Sequence, residues 1–284
     1  MFAEMKSRYL ILFTILGVLA TLIIFMLIGA DPVTTEVAVQ IAFYIVVPYF
    51  FFHYYWGKNP DWSFGEVLTT KGIKPWLPVI TGMVFVSIAF SLTMFWLQLA
   101  ILYPAFPWLA ELLLAPVEMP GGIGYEYFML VTLVILAPIV EEFVFRGVFL
   151  TRIAAKTSMW GGILISSLMF GVLHLDFIGS FLFGIIASLL YLRTGNLLLP
   201  ILFHMLNNAL AALSMYVPID EFFAIDWFIV TTAADIEAKA LANIIIMIIS
   251  TLLTAWIIYR LAKGLKDTTA AREIAEPLAK NEAP

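Results

Sequence analysis

The chain has 284 residues, of which 63% are hydrophobic and 12% are charged, and its mean hydropathy is +1.01. This apolar content is typical of a helical membrane protein and exceeds what a soluble core of this size needs. Cysteine is absent, which excludes a disulfide framework, thiolate catalysis and cysteine-ligated zinc. A net charge of −5 without basic clusters argues against nucleic acid as a partner, so the sequence predicts one membrane domain over residues 1–284.

Eight apolar segments approach the length of about 20 residues that a spanning helix needs. They cover residues 9–30, 36–56, 76–103, 125–146, 159–174, 177–193, 197–216 and 240–262. The fifth and sixth segments are short and are separated only by Leu175 and Asp176, so we expect them to be tilted or partly re-entrant. Residues 106–116 predict a short helix on the outer interface. The expected fold is an all-α membrane protein with about eight transmembrane helices.

Lysine and arginine are concentrated in alternate connecting segments, as expected if those segments face the cytoplasm. With residue 1 on the inner side, Lys239 is the only basic residue that falls in an outer segment. This distribution predicts that both termini are cytoplasmic. Residues 263–284 then form a polar cytoplasmic tail.

Glu141, Glu142 and Arg146 form a cluster of charged residues in the fourth apolar segment. A charged side chain near the bilayer centre costs about 2.5–3.5 kcal/mol and is normally paired inside the bundle. Glu142 and Arg146 are four residues apart and can therefore pair on one helical face. Glu141 is offset from Glu142 by about 100°, so we expect it to point into the bundle as a free carboxylate and general base. Arg146 snorkelling to the surface is the alternative, but it does not explain Glu141.

Two further polar clusters lie in other apolar segments. His174 follows Phe170 by four residues on the fifth segment, and His204 precedes Asn208 by four residues on the seventh, with Asn207 beside it. An interfacial histidine and amides that join helices are the structural alternatives. Together the clusters supply a carboxylate, two imidazoles and an amide, which suits water activation and oxyanion stabilisation. We expect them to form a polar catalytic cavity inside the bundle.

The order Glu141-Glu142-x-x-x-Arg146, Phe170-x-x-x-His174 and His204-x-x-x-Asn208 resembles the three motifs of the CAAX prenyl protease and bacteriocin-processing (CPBP, Abi) family, which includes Rce1-like prenyl-protein endopeptidases. The resemblance covers residues 125–216, the expected catalytic core. It implies an intramembrane endopeptidase that cuts near the anchor of a CAAX-type prenylated or otherwise membrane-tethered protein. It also implies that Glu141 and His174 activate water, that His204 and Asn208 stabilise the oxyanion, and that Glu142 and Arg146 support them.

Several alternatives stay open at this stage. No cofactor is favoured, but Glu141, His174 and His204 could ligate zinc with water in the fourth position. A non-catalytic membrane scaffold or immunity protein could share the fold, and intramembrane Glu, Arg and His also occur in proton-coupled transporters. The expected partners are the lipid bilayer and a membrane-anchored protein or peptide substrate. The expected location is the cell membrane of a prokaryote or the endoplasmic reticulum of a eukaryote.

The predicted orientation leaves one geometric question about the site. Glu141 falls in the cytoplasmic half of its segment, whereas His174 ends a segment that runs outward. Two arrangements would bring them together: a short fifth helix that stops near mid-membrane, or a deep water-filled cavity.

Overall fold

A computed structural model describes residues 1–115, 121–216, 225–268 and 271. These residues are predominantly helical and contain no β-strand, which confirms the predicted all-α class. Of the predicted polar tail, residues 269–270 and 272–284 lie outside the described residues, as does residue 116 at the end of the predicted interfacial segment.

Each of the eight predicted spans corresponds to a helix, and six of these helices are long and apolar enough to cross a membrane. The six are α1 (Ser7–Leu27), α2 (Pro32–Lys58), α3 (Lys74–Leu102), α5 (Gly122–Ala154), α7 (Phe177–Thr194) and α10 (Ala240–Ala262). Two further apolar helices are α6 (Met159–Val172) and α8 (Leu198–Tyr216). The remaining short helices include α4 (Pro107–Leu114), at the predicted interfacial position, and α9 (Ala233–Ala238).

Helix α5 continues to Ala154, eight residues beyond the predicted end at Arg146. The prediction ended the segment at Arg146, and the alternative interpretation of this residue was a guanidinium that snorkels to the surface. Arg146 is instead only 1% exposed and paired with Glu142, so the helix passes through this point. The snorkelling alternative for Arg146 is therefore wrong.

Two prolines inside long helices coincide with π-helical turns. Residues Ala42–Val46 form one such turn before Pro48, and Thr132–Leu136 form another before Pro138. Proline lacks the N–H that would continue the α-helical hydrogen bonds. The residue before each proline bonds five residues back, so that the Ala137 N–H reaches the Thr132 carbonyl. Such turns widen a helix locally and are frequent at functional sites.

The core of the bundle lies where α5, α6, α7 and α8 meet. Each contributes at least one buried phenylalanine to a continuous aromatic cluster that includes Phe145, Phe170, Phe183 and Phe203. Helix α7 is the most enclosed of the spanning helices, because 61% of the residues in its most apolar stretch are buried. In α1 only 6% of such residues are buried, so α1 lies at the periphery. The polar side chains described below lie beside this aromatic cluster.

Close contact between α5 and α6 depends on Gly162. A Cβ atom at this position would lie 2.6 Å from the Ala154 Cβ and 2.7 Å from the Leu150 carbonyl oxygen. Because backbone must move to relieve that overlap, we expect Gly162→Ala to lower the free energy of unfolding by about 1–3 kcal/mol. Thermal unfolding in detergent measures the change. Gly82→Ala on α3 is the matched control, since nothing lies within 4 Å of the added carbon, and equal melting of both variants would contradict the predicted clash.

Candidate functional site

A buried carboxylate, Glu142, joins the first and third sequence motifs. Its Oε1 accepts hydrogen bonds from Arg146 Nη1 at 2.8 Å and from His204 Nδ1 at 2.9 Å. The three residues are at most 3% exposed. The predicted Glu142–Arg146 contact therefore forms, and it extends to a histidine on α8 that the spacing rules did not connect to it.

Aromatic rings and a backbone carbonyl complete the environment of Arg146. The guanidinium carbon lies 4.6 Å from the centroid of the Phe170 ring, and Nη2 donates to the Gly184 carbonyl at 3.4 Å. A cation over an aromatic face is attracted by the ring quadrupole, more strongly where water is excluded. The guanidinium thus contacts α6 and α7 as well as the carboxylate on its own helix.

Glu141 lies on the other side of His204 from Glu142. Its Oε2 is 4.0 Å from His204 Nε2, and its Oε1 accepts a hydrogen bond from the Tyr44 hydroxyl at 3.0 Å. The prediction that Glu141 is a free carboxylate is therefore wrong. Tyr44 comes from the π-helical turn of α2 and lies 97 residues away in sequence, so no local pattern indicated this contact.

His174 lies just beyond α6, because that helix ends at Val172 and not at residue 174 as predicted. The 14 residues of α6 span about 21 Å along the helix axis, which is less than the hydrocarbon thickness of about 30 Å. The ring Nδ1 donates to the Phe170 carbonyl at 2.7 Å. Since a carbonyl only accepts, Nδ1 carries the proton, and Nε2 of the neutral ring carries a lone pair.

A polar cavity of about 50 Å³ lies inside the bundle. Three of the four predicted catalytic residues, His174, His204 and Asn208, line it. Its other lining residues are Ser87, Ser91, Phe170, Gly179, Ser180, Phe183 and Asn207. This volume accommodates water but not a peptide. Among the described residues, Glu141 makes no hydrogen bond or ion pair with His174. His204 lies between them in the sense that its Nε2 is 4.0 Å from Glu141 Oε2 and its ring lines the same cavity as His174.

Asn208 is held by a hydrogen bond to the π-helical turn Thr132–Leu136 of α5. Its Nδ2 donates to the Leu133 carbonyl at 2.9 Å. That carbonyl lacks its helical donor because the Ala137 N–H bonds to Thr132 and Pro138 has no N–H. One hydrogen of the Asn208 amide therefore satisfies an otherwise unpaired carbonyl, and the second hydrogen on the same nitrogen remains for the cavity.

Ser91, which lines the cavity, and Asp176, which bonds to it, were not singled out from the sequence. The Ser91 hydroxyl on α3 donates to Asp176 Oδ2, and the Gly179 N–H donates to Asp176 Oδ1 at 3.0 Å. Asp176 is the N-cap of α7, a role that an aspartate at the start of an apolar helix could have indicated. The cap fixes the turn that carries His174.

The predicted zinc ligands do not form a metal-binding cluster. Among the described residues, no group of three or more His, Cys, Asp or Glu side chains is arranged to hold a metal ion. His204 Nδ1 bonds to Glu142, and its Nε2 is 4.0 Å from Glu141. The mechanism below is written without a metal.

The fold and the site define an integral membrane protein of several spans with a Glu–His–Asn cluster inside the bundle. Residues 123–210 match the family described as "Type II CAAX prenyl endopeptidase Rce1-like". This match confirms the resemblance that the three motifs predicted, and all six predicted site residues lie within it. No solved structure matches the chain.

Two bacterial proteins are similar to part of the chain. A protein of Escherichia coli named "Uncharacterized 24.3 kDa protein" is 36% identical over 147 residues, which are 49% of this chain and 63% of that protein. The "Putative membrane peptidase YdiL" of Bacillus subtilis (strain 168) is 30% identical over 97 residues, which are 33% of this chain and 40% of that protein. The chain thus covers less than two thirds of either relative.

The buried charge cluster predicts a specific pattern of stability. Glu142→Gln leaves Arg146 without its carboxylate partner, and we expect it to lower the free energy of unfolding by about 3–5 kcal/mol. Adding Arg146→Met removes the uncompensated charge and is expected to restore part of the loss. Thermal unfolding in detergent compares the variants.

Glu126→Gln is the control for this series, because Glu126 lies on the same helix and makes no ion pair among the described residues. We expect it to melt like the parent protein. If Arg146→Met lowers stability further in the Glu142→Gln background, an unpaired buried charge is not the cause of the first loss.

Proposed function

We propose that this protein is an intramembrane endopeptidase that hydrolyses a peptide bond near the membrane anchor of a lipid-modified or membrane-tethered protein. The observation that carries the proposal is the convergence of three motifs: His174, His204 and Asn208 line one cavity, and Glu141 lies beside His204. The Rce1-like match over the same residues supports it.

Glu141 and His174 are the proposed bases that activate water. Tyr44 holds Glu141 Oε1, so Oε2 is the oxygen directed toward His204. His174 offers the lone pair of Nε2, because its Nδ1 is committed to the Phe170 carbonyl. As the water oxygen bonds to the substrate carbonyl carbon, its proton passes to a base. The proton is then delivered to the amide nitrogen as the C–N bond breaks.

His204 and Asn208 are the proposed donors to the oxyanion of the tetrahedral intermediate. Asn208 has one amide hydrogen left after its bond to Leu133, and its position is fixed by that bond. His204 donates from Nε2 when the ring carries both protons, and the carboxylates of Glu142 and Glu141 on its two sides compensate that charge. Donors held in place before the reaction stabilise developing charge at no cost of reorganisation.

The membrane anchor of the substrate needs a larger opening than the catalytic cavity. An apolar groove of about 450 Å³ lies between α2 and α5, with Tyr44, Phe52 and Val140 among its lining residues. Tyr44 bonds to Glu141, and Val140 precedes it, so the groove adjoins the proposed base. We assign the groove to the apolar tail of the substrate, with a CAAX-type prenyl group as the first candidate. Both relatives are bacterial, which favours the cell membrane as the location.

The first test compares cleavage of a quenched-fluorescent farnesylated CAAX peptide by the detergent-purified parent protein and Glu141→Gln. We expect the parent to cleave and Glu141→Gln to be at least about 100-fold slower, because an amide cannot accept the proton of water. Glu126→Gln is expected to retain full activity, since Glu126 lies about four turns away on the same helix.

Other outcomes of this assay separate the parts of the proposal. Full cleavage by Glu141→Gln would show that Glu141 is not the base. Equal cleavage of an unprenylated membrane-anchored peptide would remove the prenyl assignment but leave the protease. Loss of parent activity with a zinc chelator, restored by zinc, would overturn the metal-free mechanism. No cleavage of either peptide by folded parent protein would contradict the protease assignment for both substrate classes.

Tyr44→Phe tests whether the interhelical hydrogen bond orients the base. Because the ring stays in the groove and only the hydroxyl donor to Glu141 is lost, we expect kcat to fall roughly tenfold with KM unchanged. Tyr49→Phe removes a hydroxyl from the same groove without touching Glu141 and is expected to leave both constants unchanged. Equal losses in the two variants would assign the effect to the polarity of the groove.

A further inference from the structure

The fold assembles a basic cluster that is dispersed in the sequence. Lys6 and Arg8 lie at the beginning of α1, and Arg152 and Lys156 lie at the end of α5 and just beyond it. With Ser7, these four side chains line a cavity of about 140 Å³. All of them come from positions that the sequence predicts to be cytoplasmic, at the membrane surface.

The segment that carries Lys6 is fixed to the bundle. Phe2 and Met5 are at most 3% exposed, and the Phe2 ring packs directly against Gly147, where a Cβ atom would lie 3.0 Å from it. The Lys6 N–H donates to the Tyr55 hydroxyl at 2.9 Å, and Arg152 Nη1 donates to the Ala3 carbonyl at 2.6 Å. The cations therefore surround the cavity on an ordered frame.

This cluster has no carboxylate partner within the described part of the chain. Among the described residues, none of the four cations makes an ion pair with an aspartate or glutamate, and the nearby Glu4 is exposed and also makes none. Helix α1 begins at Ser7 without a side-chain cap, so the first N–H groups of a 21-residue helix face the same region. Four positive charges and a positive helix end favour an anion with several acceptor oxygens.

An apolar groove begins where the basic cavity ends. It has a volume of about 770 Å³ and runs between α1 and α2, with Tyr9, Phe13, Phe50 and Tyr55 among its lining residues. The Tyr9 ring lies 5.7 Å from Lys6 Nζ and 5.1 Å from Arg8 Cζ, and the Tyr55 hydroxyl bonds to the Lys6 N–H. Cationic and apolar surfaces thus meet within one turn of α1.

We infer that the basic cavity and this groove form a binding site for an anionic phospholipid. The phosphate lies among Lys6, Arg8, Arg152 and Lys156, and an acyl chain follows the groove along α1. Basic pockets at the cytoplasmic ends of membrane helices bind lipid head groups in this way. The same phosphate chemistry would suit a free phosphate ion, but only a lipid accounts for the adjoining apolar groove. The site is separate from Glu141 and does not depend on the proposed protease activity.

The test measures lipid binding to the detergent-purified full chain by native mass spectrometry, with phosphatidylglycerol and phosphatidylcholine of identical acyl chains. We expect the parent to bind phosphatidylglycerol at least tenfold more tightly. Lys6→Gln with Lys156→Gln is expected to weaken phosphatidylglycerol binding roughly 30-fold, since each basic side chain near the surface contributes about a fivefold step. Arg152 is left intact because it anchors the Ala3 carbonyl.

Lys71→Gln with Lys74→Gln is the matched control, since it removes two exposed charges on the same predicted side of the membrane. We expect it to bind like the parent, and melting temperatures confirm that all variants are folded. Equal binding of the two lipids, or an equal loss in the control variant, would overturn the inference. Displacement of phosphatidylglycerol by millimolar inorganic phosphate would assign the cavity to a free anion instead of a lipid.

Discussion

The site depends on two hydrogen bonds that the buried carboxylate of Glu142 accepts, one from Arg146 and one from His204. One oxygen of this carboxylate bonds to Arg146 on its own helix and to His204 on α8, so it joins the two motif helices inside the bundle. Neighbouring residues on a helix point about 100° apart, which places Glu141 on the opposite nitrogen of the same imidazole. The pair of adjacent glutamates therefore brackets one histidine, and neither carboxylate could move along the chain without losing that arrangement.

Helix defects at proline supply the remaining contacts. The π-helical turn before Pro138 leaves the Leu133 carbonyl without a donor, and Asn208 fills that role from α8. The turn before Pro48 contains Tyr44, whose hydroxyl reaches Glu141. A backbone group that loses its helical partner inside a membrane must find another one, because no water is there to replace it. The two π-helical turns thus take part in hydrogen bonds between helices: one joins α5 to α8, and the other joins α2 to α5.

The sequence predicted the parts of this structure that depend on neighbours along the chain. Apolar length gave the spans, and four-residue spacing gave the Glu142–Arg146 pair. Contacts between distant segments were beyond it: Tyr44 and Glu141 are 97 residues apart, and Glu142 and His204 are 62 apart. For that reason Glu141 was wrongly expected to be free. Helix α6 ends two residues before the predicted segment does, because nothing local distinguishes its last helical residue from the turn that carries His174.

The polar cavity and the apolar groove between α2 and α5 differ greatly in volume, at about 50 Å³ and about 450 Å³. The cavity between His174, His204 and Asn208 is large enough for water but not for a peptide. Under the proposed function, a substrate must therefore reach these residues from outside the four-helix core. The α2–α5 groove is larger, and Tyr44 in its lining bonds to Glu141, the proposed base. Under the proposed function, a group bound in the groove contacts the residue that holds Glu141, so the groove and the proposed base are connected through one hydroxyl. Helix α2, which lacks the three motifs, is then the element through which a substrate would act on the proposed catalytic residues.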